Sequence, residues 1–134
     1  MPTVNGRRGS FLILFGLIYV AVGLSYIYAP EDSTVRQSMA WLPHMTDLTF
    51  CGGVWATAGL IAGAHAFLPI PRDRFGYMAL AATAMAWTVA YLVSWVLGYG
   101  ERGWVSAIVF AALGAATLVV SGMPNPVRRR PNEP

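Results

Sequence analysis

Four long stretches without a charged residue dominate this sequence and limit what the chain can fold into. They cover residues 11–29, 48–68, 75–99 and 104–122, and none of them contains Asp, Glu, Arg or Lys. A helix needs about 20 apolar residues to cross a hydrocarbon core of roughly 30 Å, and each stretch meets or nearly meets that length. The stretches do not alternate as the strands of membrane barrels do. The sequence therefore predicts an all-α integral membrane bundle of four transmembrane helices.

The composition agrees with a chain that mostly faces lipid. Its residues are 56% hydrophobic and 11% charged, whereas soluble domains have roughly 45–50% apolar and about 25% charged residues. We expect a transmembrane domain over 11–122, an N-terminal segment over 1–10 and an Arg/Pro-rich tail over 123–134. The chain has one cysteine, which excludes an intramolecular disulfide and a multi-cysteine metal site.

The positions of the arginines, which are the only basic residues besides histidine, predict the orientation of the bundle. With the N-terminus inside, only Arg36 and Arg102 lie outside, which satisfies the positive-inside rule. We expect the other seven to anchor the chain at the anionic inner leaflet of a bacterial inner membrane, with both termini cytoplasmic. These anchors are Arg7, Arg8, Arg72, Arg74, Arg128, Arg129 and Arg130. They form no continuous patch, so nucleic-acid binding is not expected.

The longest predicted outer connection, residues 30–43, contains apolar side chains at helical spacing. These are Val35, Met39 and Leu42. The spacing predicts a short interfacial helix, capped by Asp32 or Ser33 and ended by Pro43. Such a helix is either a simple connector or an element that closes over the bundle or docks a partner, and we favour the connector.

Two histidines raise the question of a metal or proton site. His44, Asp47 and Cys51 stand at i, i+3 and i+7, but zinc needs four ligands or three with water. We expect Asp47 to cap a helix and Cys51 to pack. His65 is the only ionisable residue well inside a span and is a functional candidate on that ground. It lies about one turn from the inner interface and has no titratable partner within the membrane, so we expect a structural role.

No residue pattern points to catalysis. The sequence contains no nucleophile with a base, no paired carboxylates, no phosphate-binding glycine loop and no redox pair. Hydroxyl residues inside the spans are isolated and can bond to their own helix. We therefore expect neither an enzyme nor a cofactor.

The strongest positive signal is a set of small residues repeated every four positions, which lets helix backbones approach closely in lipid. The predicted helix-packing positions are Gly59, Gly63, Ala82, Ala86, Ala90, Ser94, Gly98, Ala107, Ala111 and Ala115. Packing within the bundle accounts for one or two of the three stripes. We expect the remaining small residues to support a homo-oligomer.

As a whole the chain resembles the small multi-span membrane proteins of phages that infect GC-rich actinobacteria, many of them treated as holins. The resemblance rests on chain size, four spans, the N-terminal RRGSFLILFGLIY, aromatic-rich outer turns and the tail GMPNPVRRRPNEP. It implies a protein that oligomerises in the host inner membrane and opens lesions that allow an endolysin to reach the wall. Holins carry no catalytic residues, so the resemblance implies none here.

Two other functions fit the same residues. The first is a non-enzymatic scaffold or accessory protein of a bacterial envelope, which would bind another membrane or lysis protein through its outer loop or basic tail. The second is a small transporter or channel built from two helical hairpins. Lethality on expression would separate a holin from a scaffold, and a bound solute would favour a transporter.

Overall fold

The computed structural model describes residues 4–41 and 47–124, and within these ranges the chain forms five helices and no strand. They are α1 (Gly6–Ile27), α2 (Thr34–Ser38), α3 (Leu48–His65), α4 (Arg74–Val96) and α5 (Gly103–Ser121). All except α2 are long and apolar enough to cross a membrane. This confirms the predicted all-α architecture with four candidate spans.

The short helix expected in the connection between the first two spans is present as α2. The Ser33 hydroxyl accepts a hydrogen bond from the Arg36 amide at 3.4 Å and so caps its first turn. Val35 is half-buried and Met39 is buried, so the apolar side of this segment packs on the bundle. The helix ends at Ser38, and the proline predicted to end it lies outside the described residues.

Two helix ends have clear local causes. The Asp47 carboxylate accepts a hydrogen bond from the Thr49 amide at 2.9 Å, which confirms its expected role as the cap of α3. The helix α4 ends at Val96, before the predicted end of its span. Gly98 follows with φ +80°, a left-handed conformation that glycine adopts without strain.

The four long helices pack as two pairs. Helix α1 lies antiparallel to α3, α4 lies against α5, and contacts between α3 and α4 join the pairs. The core is aromatic: the Trp55 ring is fully buried, with centroid distances of 4.5 Å to Tyr19, 5.4 Å to Trp87 and 5.5 Å to Phe110.

The bundle has two chemically different ends. One holds α2 and the turn between α4 and α5, and we call it the α2 end. The other holds Arg8, the loop between α3 and α4, and the end of α5, and we call it the Arg8 end.

Candidate functional site

Helices α1 and α3 meet through a row of small residues spaced seven apart, which we call the glycine seam. Its members are Gly9, Gly16 and Gly23 on α1, Gly52 and Gly59 on α3, and Ala66 directly after the end of α3. A Cβ added to Gly16 would lie 2.7 Å from the Gly59 carbonyl oxygen, closer than real Cβ atoms come to other atoms. A seven-residue period keeps two slightly supercoiled helices in register, so the backbones touch along most of their length.

The glycine seam contains residues that the sequence prediction missed. That prediction named Gly59 and Gly63 because they stand four apart. Gly59 is buried in the seam, whereas a Cβ added to Gly63 would meet no described atom within 4 Å. The missed members were recognisable in the sequence by their spacing of seven.

The predicted stripe on α4 crosses from the core to the surface. Ser94 is buried and Ala90 is half-buried, but Ala82 and Ala86 are exposed. Gly98 follows the end of the helix with a positive φ and so stops it. A Cβ added to Gly98 would meet no described atom within 4 Å, so this glycine is not needed for close packing. The outward part of this stripe is therefore not buried by other residues of the described chain.

Shallow apolar grooves flank the two exposed alanines. A groove of about 510 Å³ lies beside Ala82 and is lined by α3 and α4, including Val54 and Ile61. A smaller one of about 210 Å³ lies beside Ala86 and includes Trp87 and Cys51. Small residues next to such depressions allow a neighbouring helix to approach and insert its side chains.

The predicted stripe on α5 is also divided. Ala107 is buried, Ala111 is half-buried and Ala115 is exposed. Only its first part lies within the core, close to the stacked rings of Tyr91 and Phe110, whose centroids are 5.5 Å apart.

Arg8 forms a buried cluster that joins three distant segments. Its Nε donates to the Asp73 carboxylate at 2.8 Å. Its Nη1 donates to carbonyl oxygens at the end of α5, those of Ser121 at 2.5 Å and Met123 at 2.7 Å. The Tyr77 hydroxyl donates to the Arg8 carbonyl at 2.9 Å, and its ring lies below the guanidinium. The positive charge thus stabilises the carbonyl end of α5 and ties both helix pairs together.

The other predicted anchors differ from Arg8. The Arg8 side chain is buried among protein groups, so in this conformation it does not lie among lipid headgroups. Arg7, Arg72 and Arg74 are exposed at the same end, and their contact with the inner leaflet stays a prediction. The three arginines of the tail, Arg128, Arg129 and Arg130, lie outside the described residues. Asp73 was not singled out from the sequence, because its partner is 65 positions away.

The histidine and cysteine candidates show no metal geometry in the described ranges. No group of three His, Cys, Asp or Glu residues stands close enough to hold an ion there, and His44 lies outside them. The His65 Nδ1 lies 2.8 Å from the Ile61 carbonyl oxygen. Because a carbonyl can only accept, Nδ1 carries a proton and the imidazole bonds to its own helix.

A polar cavity of about 480 Å³ opens at the α2 end, between α2 and the turn that joins α4 to α5. Its lining includes Gln37 and Ser38 from α2 and Gly100, Glu101 and Arg102 from the turn. This recess is more polar than the grooves beside Ala82 and Ala86, and sequence reasoning did not identify it.

Comparison with protein-family models, with curated proteins and with solved structures gave no match. The function must therefore be argued from the bundle itself.

Proposed function

We propose that this chain is a non-enzymatic membrane protein of the holin type, which self-associates in a bacterial inner membrane and permeabilises it. Both termini would lie in the cytoplasm, and an endolysin would then gain access to the wall. One observation carries the proposal: Ala82 and Ala86 present small side chains outward, beside apolar grooves, where the fold of a single chain does not use them.

The physical argument rests on what drives helix association in lipid. Apolar side chains are as well solvated by lipid tails as by protein, so close backbone approach supplies the attraction. The glycine seam uses its small residues within the chain. The outward alanines of α4 are left for a second copy, and repeated association through such faces would build the assembly that a membrane lesion requires.

A scaffold or accessory protein is the second candidate function. The polar cavity at the α2 end favours it, because a holin that acts only through helix packing has no need for a polar recess there. In this alternative the α2 end would bind a partner, and the bundle would position it at the membrane.

Controlled expression in a bacterium tests the proposal. We expect growth to continue for a period and the membrane potential, followed with a voltage-sensitive dye, then to collapse abruptly. Addition of an endolysin after the collapse should cause lysis, and Ala86→Leu should delay the collapse. Continued growth at high membrane levels of the protein would contradict the holin function and favour the scaffold.

A further inference from the structure

We propose that the polar cavity at the α2 end binds a phosphoethanolamine group, as carried by the zwitterionic lipids of the membrane. This inference does not depend on the holin function. It rests on three features, namely the charges that line the cavity, the serine hydroxyls beside Gly100 and the level of the cavity in the membrane.

The charges at the cavity match a zwitterion. Among the described residues that line it, Glu101 is the only acid and Arg102 the only base. A guanidinium binds phosphate oxygens through paired N–H donors. A carboxylate accepts hydrogen bonds from a primary ammonium, whereas a quaternary ammonium has no N–H to donate. A headgroup with only a phosphate would leave Glu101 facing a like charge.

Gly100 lines the cavity and lies next to two serine hydroxyls, that of Ser38, which also lines the cavity, and that of Ser94, which is buried behind Gly100. A Cβ at this position would lie 3.2 Å from the Ser38 Oγ and 3.4 Å from the Ser94 Oγ. Ser94 is fully buried, and its hydroxyl has no hydrogen-bond partner in the described part of the chain. Buried hydroxyl groups without partners are costly. A phosphate oxygen bound above Gly100 would supply the missing acceptor through a water that enters between Gly100 and the Ser94 hydroxyl.

The aromatic residues around the cavity place it at headgroup level. Trp95 at the end of α4 and Trp104 at the start of α5 are each 46% exposed, and Tyr99 in the turn is 49% exposed. Tryptophan and tyrosine favour the membrane–water interface, where one part of the ring is apolar and the other is wet. A cavity between these residues and α2 lies where a lipid can enter with its headgroup while its acyl chains stay in the bilayer.

The test is a binding titration of the full chain in detergent, measured by native mass spectrometry with short-chain dihexanoyl lipids. We expect the phosphatidylethanolamine to bind more tightly than the phosphatidylcholine or the phosphatidylglycerol. Glu101→Gln and Arg102→Gln should each weaken its binding about tenfold, the loss of one charge-assisted hydrogen bond. Glu31→Gln is the control, because Glu31 is exposed at the same end and does not line the cavity.

Gly100→Ala tests the buried hydroxyl groups separately. The backbone of Gly100 does not have a positive φ, so alanine fills space there without backbone strain. We expect this variant to lose phosphatidylethanolamine binding while its helix content by circular dichroism is unchanged. Equal binding of phosphatidylglycerol, or equal effects of Glu101→Gln and Glu31→Gln, would overturn the proposal. If free phosphoethanolamine displaced the lipid at equal concentration, the site would recognise the soluble group and the lipid assignment would be overturned.

Discussion

The two helix pairs of this protein are held together in different ways. In the first pair, α1 and α3, backbone meets backbone along the glycine seam. In the second pair, α4 and α5, a comparably tight contact occurs near the α2 end, where a Cβ on Gly103 would lie 2.8 Å from the Tyr91 carbonyl oxygen. Further along, side chains fill the space, such as the stacked rings of Tyr91 and Phe110.

The comparison shows that small residues with similar spacing have different uses. In the first pair the glycines form contacts within the chain, so substitutions there act on the fold of the single chain. In the second pair, Ala82 and Ala86 of α4 are exposed and lie beside the apolar grooves between α4 and α3. Substitutions at these positions should act on association between chains. Stability and assembly therefore depend on different residues, and variants can separate them.

The largest effect is expected where the two pairs are tied together. Arg8→Gln leaves the Asp73 carboxylate buried without its cation, which costs roughly 3–5 kcal/mol. Arg7→Gln is the matched control, since Arg7 is exposed and should change stability by about 0.5 kcal/mol or less. Unfolding in mixed SDS micelles measures both, and adding Asp73→Asn to Arg8→Gln should recover part of the loss. Equal stability of the two single variants would mean that the buried pair does not join the helix pairs.

Within the first pair, two glycine-to-alanine substitutions on α3 should have opposite effects on stability. Gly59→Ala places a methyl against the backbone of Gly16 and 2.9 Å from a Val20 methyl group, which costs about 1–3 kcal/mol for an overpacked contact. Gly63→Ala meets no described atom within 4 Å and should stabilise α3 by about 0.5–1 kcal/mol through helix propensity. The same SDS titration compares them. Similar stabilities would contradict the glycine seam.

The smallest change in stability is expected for a glycine-to-alanine substitution in the second pair. A methyl on Gly114 would lie 3.4 Å from the Met85 Cε and 3.5 Å from the Ala84 Cβ, which is ordinary van der Waals contact. Gly114→Ala should therefore be neutral or stabilise the protein by up to about 1 kcal/mol. A loss as large as that of Gly59→Ala in the SDS titration would show that both pairs pack equally tightly and would remove the contrast between them.

The four spans could be predicted from the sequence because the length of uncharged runs is a local property. The partner of each helix could not. Gly9, Gly16 and Gly23 show a clear period of seven, but this period does not identify α3 as the helix that carries the matching small residues. Arg8 was predicted at the lipid surface because a charge next to a span usually lies there, and its buried pairing with Asp73 appears only when the loop folds back onto α1.

Position along a helix also limited the prediction. Gly98 has the same spacing as the other members of the α4 stripe, yet its φ of +80° makes it the residue that stops the helix. Spacing rules cannot separate a packing glycine from a stopping glycine when the end of the helix is unknown. The polar cavity was missed for a related reason, since its lining comes from α2 and from a turn more than 60 positions later.

The central claim is that the outward alanines of α4 drive association between chains. Its most direct test is the dimer fraction in lipid vesicles, measured by Förster transfer between labelled chains across a range of protein-to-lipid ratios. Ala86→Leu should weaken association roughly tenfold, the effect of about 1.4 kcal/mol, and leave the SDS stability of the single chain unchanged. Ala112→Leu, at an exposed alanine of α5 outside the predicted stripe, should leave association unchanged. Equal association of both variants and the unmodified chain would contradict the claim.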